Sequence, residues 1–141
     1  MKLCTLCSPE SENVIFKNDL FRVILVDDKF YPGFIRLILN QHVKEMSDLS
    51  SKESSSIFTA LITLEKQLRL VFNPDKINLA SLGNIVPHLH WHIIPRYVND
   101  RHFPNPIWGN IVHKDYIPAK HLFELQDSLL ISLNQQLNNL I

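Results

Sequence analysis

The segment PHLHWHIIPR, residues 87 to 96, constrains this chain more than any other stretch. It places three of the seven histidines in strict alternation, His88, His90 and His92, with Leu89, Trp91 and Ile93 between them. Alternate side chains of a β-strand point to one face. The spacing therefore predicts a strand, closed by Pro95, whose apolar residues anchor it in a core. Three imidazoles are then presented from the opposite face, roughly 7 Å apart.

The rest of the chain supplies the layers such a strand needs. LFRVILVD (20–27) and FIRLILN (34–40) are dense in β-branched and apolar residues, and DKFYPG between them contains Pro32 and Gly33. That pattern predicts an antiparallel hairpin. SDLSSKESSS then offers several helix N-caps. Beyond it Ile57, Phe58, Leu61, Leu64, Leu68, Val71 and Phe72 recur at three- and four-residue steps, one apolar helix face stopped by Asn73-Pro74. KINLASL (76–82) reads as a strand and Gly83-Asn84 as a kink. Residues 99–110 form a loop rich in Pro, Asn and aromatics. After Pro118, Leu122, Leu125, Leu129, Leu133 and Leu137 mark a second amphipathic helix, whose stripe is free to meet either this chain or a partner. The expected fold is α+β: an antiparallel sheet with one long helix packed across it and a C-terminal helix, in one domain over residues 1–141.

Composition narrows the function classes. At 141 residues, 45% hydrophobic and 20% charged, the chain is globular and long enough to bury a substantial core. Fourteen basic residues balance fourteen acidic ones, which argues against a broad surface for nucleic acid or anionic membrane. No signal-like segment opens the chain and no apolar run approaches a membrane span, so a cytoplasmic protein is expected. Cys4 and Cys7, the only cysteines, are too close for an ordinary disulfide clamp and suggest metal or redox chemistry.

Alternating imidazoles support two kinds of chemistry. Two of them can share a metal ion. A neutral imidazole, with an ordinary pKa of about 6.5, can instead attack a phosphoryl centre, form a covalent N–P bond and leave when water attacks. Neighbouring groups would hold its tautomer and meet charge building on the phosphate oxygens.

His88-Leu89-His90-Trp91-His92-Ile93-Ile94 resembles the signature of the histidine-triad (HIT) superfamily, and Pro95-Arg96 after it is also typical. VDDKFYPGFIRLILNQHV, LASLGNIVPHLHWHIIPR and HFPNPIW are similar to a bacterial branch often labelled diadenosine tetraphosphate hydrolase-like. The resemblance implies attack at the α-phosphate of a nucleotide by the middle histidine, His90, through a nucleotidyl-histidine. It implies that His92 bonds phosphate oxygens or the leaving group, and that His88 supports the nucleophile or binds metal. Where the family has Gly-Gln, this chain has Gly83-Asn84, with an amide one methylene shorter. A family Asn on the preceding strand matches Asn78, which could equally cap a strand edge. A ribose-binding residue on the hairpin matches Asp27, or less well Asp28, though an aspartate there is also an ordinary turn residue.

The resemblance also accounts for the cysteines. In zinc-containing relatives a Cys-x-x-Cys joins a histidine after the hairpin and the first triad histidine, here Cys4, Cys7, His42 and His88. Such a structural zinc would tie down the N-terminal segment, residues 1–10, and leave His90 free to attack. His102, His113 and His121 read as ordinary surface histidines. Arg96 is either a phosphate contact or a strand cap, and Trp108 either covers a base or packs at an interface. The implied partners are a small nucleotide and a second copy of the chain, joined through the long helix and adjacent strand. A nucleoside phosphoramidase would use the same intermediate. A nucleotide- or metal-binding protein without catalysis, for which the shorter Asn84 is the hint, would not need the middle histidine.

Overall fold

Two apolar runs separated by a turn pair as the spacing dictates. β2 (Phe21–Leu25) and β3 (Ile35–Leu39) form an antiparallel hairpin, Phe21 opposite Leu39 and Leu25 opposite Ile35. The computed structural model describes residues 4–139. Gly33 closes the hairpin at φ +80°, a conformation glycine adopts without strain. A Cβ there would stand 2.7 Å from the Phe72 ring, so the turn and the end of the long helix are in direct contact.

That helix, α1 (Ser51–Phe72), begins with a reciprocal cap: Ser50 Oγ accepts from the Glu53 N–H, and the Glu53 carboxylate accepts from the Ser50 N–H. It ends at Asn73 in the left-handed region, just before Pro74. Ile57, Leu61, Leu64, Leu68 and Phe72 are buried against the sheet as expected, and Val71 is half-buried. Phe58 is not: it is 49% exposed, because the buried stripe turns away from the flank it shares with Ile62.

The sheet has five antiparallel strands in the order β1-β2-β3-β5-β4, with β4 (Lys76–Ala80) and β5 (His90–Arg96) completing it. Pro95 lies inside β5 instead of ending it. The β3 ladder extends only to Ile93, so at Pro95 the strand has a single neighbour and the missing N–H costs no ladder bond. β1 (Asn13–Lys17) is an edge strand that no alternation announces. An irregularity between Val14 and Phe16 turns Ile15 and Phe16 inward together, which breaks the two-residue period.

α2 (Lys120–Asn138) packs on α1 and β1, burying Leu122, Leu129, Leu133 and Leu137 in the main core. Its stripe is thus used within the chain. Gln126 of α2 accepts a hydrogen bond from the Gly33 N–H at 3.0 Å, and Ser132 bonds Gln67 of α1. Both helices cover one face of the sheet. The other face carries a small cluster of Tyr31, Phe34 and Ile94, and the histidines.

Candidate active site and metal cluster

Register decides which imidazoles meet. His90 lies opposite Ile38, and His92 opposite Arg36, while Trp91 and Ile93 point into the helix-side core with Leu89. The rings of His90 and His92 are 4.9 Å apart, edge to face. His88 precedes the strand, is fully buried, and turns to another neighbour: its ring meets His42 at 5.1 Å. The three histidines therefore divide into a pair and a single.

Hydrogen bonds assign each ring a tautomer, because a carbonyl only accepts and a guanidinium only donates. His90 Nδ1–H donates to the His88 carbonyl at 2.6 Å, so Nε2 carries the lone pair. His92 Nδ1 accepts from Arg36 Nε at 3.2 Å, so its Nε2 bears the proton. His88 Nε2–H donates to the Leu39 carbonyl at 2.7 Å, leaving Nδ1 as a ligand atom. Burial lowers the pKa of all three, and it is the main cause in each. His92 falls to about 4, with the Arg36 charge and His90 adding to desolvation. At neutral pH the pair is uncharged: one nucleophilic nitrogen stands beside one N–H donor.

The His88 Nδ1 atom faces a second cluster. It lies 3.4 Å from both the Cys4 and the Cys7 sulfurs, and Cys7 Sγ is 3.2 Å from His42 Nδ1. The four ligand atoms fall within 4.8 Å of one another. Zinc–sulfur and zinc–nitrogen bonds of about 2.3 and 2.05 Å in a tetrahedron give S···N edges of about 3.6 Å. The donor set and spacing fit such an ion. The Leu39 carbonyl on His88 is the orienting partner a ligating imidazole needs.

The remaining positions spread around this centre. Asn78 stands on the histidine face of β4, opposite Ile94; its Oδ1 accepts from Arg96 at 2.6 Å, which leaves the amide N–H groups as donors. Arg96 spends its other donors on Asp100 and on the Asn105 carbonyl and is 1% exposed, so it is no phosphate contact. Gly83, at φ +70°, and Asn84 lie in the loop after β4; Asn84 is exposed and its side chain has no hydrogen bond among the described residues. Asp28 caps the turn through the Phe30 N–H. Asp27 lines a cavity of about 530 Å³ with Ser11, Asn13, Asp28, Arg36 and Gln126.

Two features escape a reading of the sequence. Arg36 is the lone charge in FIRLILN, and its even spacing from Phe34 and Ile38 was the available signal that it shares the histidine face. Asp100 organises the loop of residues 97–113. Its carboxylate accepts from the Tyr97, His102 and Phe103 N–H groups and from Arg96. Burial alone would raise its pKa, but these donors outweigh it and hold the carboxyl below the usual range. His102 bonds Tyr31, and His113 bonds the Asp100 carbonyl, so these two are loop struts and not bystanders. The loop brings Trp108 edge-on to His92 at 4.9 Å.

A family model described as HIT domain matches residues 9–99, from the approach to β1 through the histidine strand. The chain belongs to the HIT domain family. Among HIT relatives, a bis(5'-adenosyl)-triphosphatase of Saccharomyces cerevisiae is 32% identical over 93 residues, 62% of this chain and 45% of that protein. An AP-4-A phosphorylase of Mycobacterium tuberculosis is 26% identical over 114 residues, 74% of this chain and 57% of its own. The chain thus spans about half the length of the curated relatives it matches. A crystal structure of a histidine triad protein from Marinobacter aquaeolei superimposes with a TM-score of 0.71 at 28% identity, covering 92% of this chain and 91% of that one.

Proposed function

We propose that the protein hydrolyses or transfers nucleotides by attack on an α-phosphorus, with dinucleoside polyphosphates such as diadenosine tetraphosphate as the substrate class. The observation that carries this reading is the pairing on β5: His90 Nε2 is a free lone pair on a neutral ring, and the His92 Nε2–H stands beside it. The relatives' names, a triphosphatase and a phosphorylase acting on such compounds, point the same way.

The chemistry follows from those two nitrogens. His90 Nε2 forms a bond to phosphorus as the P–O bond to the leaving phosphate breaks, and the electron pair passes to that oxygen, where the His92 N–H meets it. The ring then carries phosphorus on Nε2 and its proton on Nδ1, and the His88 carbonyl stabilises the positive charge. Water attacks phosphorus in a second step, the P–N bond breaks, its electrons return to His90, and the water proton leaves to solvent. In this reading Asn78 and Asn84 supply amide donors to the phosphate, Gly83 lets the backbone turn there, and Asp27 receives the ribose hydroxyls in the adjacent cavity. His88 holds the nucleophile through its carbonyl and, with Cys4, Cys7 and His42, holds a structural zinc.

The same reading includes a homodimer. β4 is a sheet edge, and Leu79 on it and Phe58, Ile62 and Leu70 on α1 are exposed apolar groups. Among the described residues no helix is long and apolar enough to cross a membrane. The test is release of nucleoside monophosphate from diadenosine tetraphosphate, diadenosine triphosphate, ADP and adenosine phosphoramidate by the wild type and His90→Ala. Turnover by the wild type alone is expected. Nucleotide binding without turnover by either protein would replace the enzyme with a binding module.

A further inference from the structure

A guanidinium on a strand face loses hydration, and that loss is retained where the charge has an anion to meet. Burial holds Arg36 below the usual arginine range, with Glu12 and Asp28 acting on it only through space. Among the described residues no carboxylate forms an ion pair with it. Its Nε is committed to His92, and the Phe34 ring lies 5.4 Å from the guanidinium carbon. Its Nη1 and Nη2 groups have no acceptor among the described residues. They belong to a side chain that lines the cavity shared with Asp27 and Asp28 and also touches the catalytic pair. A planar fork with most of its donors free matches phosphate oxygens.

We propose that Arg36 is a specificity-determining residue that receives the phosphates beyond the α-phosphorus, so that the site favours polyphosphate leaving groups over uncharged ones. This rests on the hydrolase reading above. As the P–O bond breaks, charge collects on the departing phosphate. The guanidinium is bonded to Nδ1 of the same imidazole whose Nε2–H meets that oxygen, and it lines the cavity next to the pair. An amine leaving group carries away no such charge and leaves the fork without a target.

The experiment compares kcat/KM for diadenosine tetraphosphate and adenosine phosphoramidate in the wild type, Arg36→Gln and Arg36→Lys. Both substrates lose rate in Arg36→Gln, because His92 loses its donor. The tetraphosphate loses a further 10- to 100-fold, on the order expected when charge-assisted hydrogen bonds to an anion are removed. Arg36→Lys recovers part of that extra loss and none of the fork geometry. Equal losses on both substrates, or no loss, overturn the assignment. Arg36→Met, which keeps the length of the stem, serves if the glutamine variant does not fold. Were the wild type to turn over neither substrate, the hydrolase reading would fail, and calorimetry would still decide the role of Arg36. ATP binds more tightly than AMP to the wild type and loses that advantage in Arg36→Gln; an advantage that persists in the variant overturns the proposal.

Discussion

Removing the Asp100 carboxylate should unfasten the loop that carries Trp108. Its oxygens accept from Arg96 Nε at 2.7 Å and Nη2 at 2.9 Å, from the Phe103 N–H at 2.9 Å, and from the Tyr97 and His102 N–H groups at 3.1 Å. The Tyr31 hydroxyl adds a longer bond at 3.3 Å. Both side chains of the ion pair are at most 2% exposed, so Asp100→Ala leaves Arg96 charged, buried and unpaired. Breaking such a pair from one side costs about 3–5 kcal/mol. For a chain of this length that lowers the melting temperature on the order of 10–20 °C. Urea unfolding of the wild type, Asp100→Ala and the double variant Arg96→Met/Asp100→Leu measures it. The double variant should lose less than the single one, because neither charge is then stranded. A single-variant loss below about 1 kcal/mol would refute the reasoning, and so would a double variant less stable than the single.

Three further outcomes follow from the same geometry. His92 has a folded pKa of about 4 against an ordinary 6.5, so the unfolded chain takes up its proton first as pH falls. Its contribution is complete above about 6.5 and is lost toward pH 4, up to about 3 kcal/mol at about 1.4 kcal/mol per pH unit. His92→Gln should flatten the acid limb of stability between those values, and an unchanged limb would contradict the assignment. Purified protein should carry one zinc per chain by elemental analysis, and Cys7→Ser or a strong chelator should lower the melting temperature and expose the N-terminal segment to protease; a metal-free protein of unchanged stability would remove the zinc. Gly33→Ala forces a side chain to φ +80° and into the Phe72 ring, and should cost at least about 2 kcal/mol by chemical denaturation, with part recovered by Phe72→Leu.

The features legible in the sequence are those governed by a single period. Alternation in β5 gave the face for His90 and His92, and three- and four-residue steps gave α1 and α2, because each pattern reports burial on one side of one element. The turn residues of DKFYPG also announce the β2–β3 pairing, but contacts between elements that no short turn joins leave no such mark. β1 hides because its bulge buries two successive residues. His88 has the spacing of a strand residue yet ends beside His42, since the carbonyl of Leu39 captures its Nε2–H. Arg36 gains its role from a partner 56 residues away, His92. Asp100 gains its role from the way the irregular loop folds the Tyr97, His102 and Phe103 N–H groups and Arg96 around one carboxylate, which no period reports. The zinc set was reached through resemblance, and the spacing of its four ligand atoms fits what that resemblance implied.

Trapping the covalent intermediate tests the central claim most directly. The protein is mixed with diadenosine tetraphosphate, quenched in alkali within one turnover, digested and weighed by mass spectrometry. A nucleotidyl group on the peptide containing His90, stable in alkali, labile in acid and absent from His90→Ala, is the result this account predicts. Release of nucleoside monophosphate that persists in His90→Ala, with no adduct on that peptide, would contradict it.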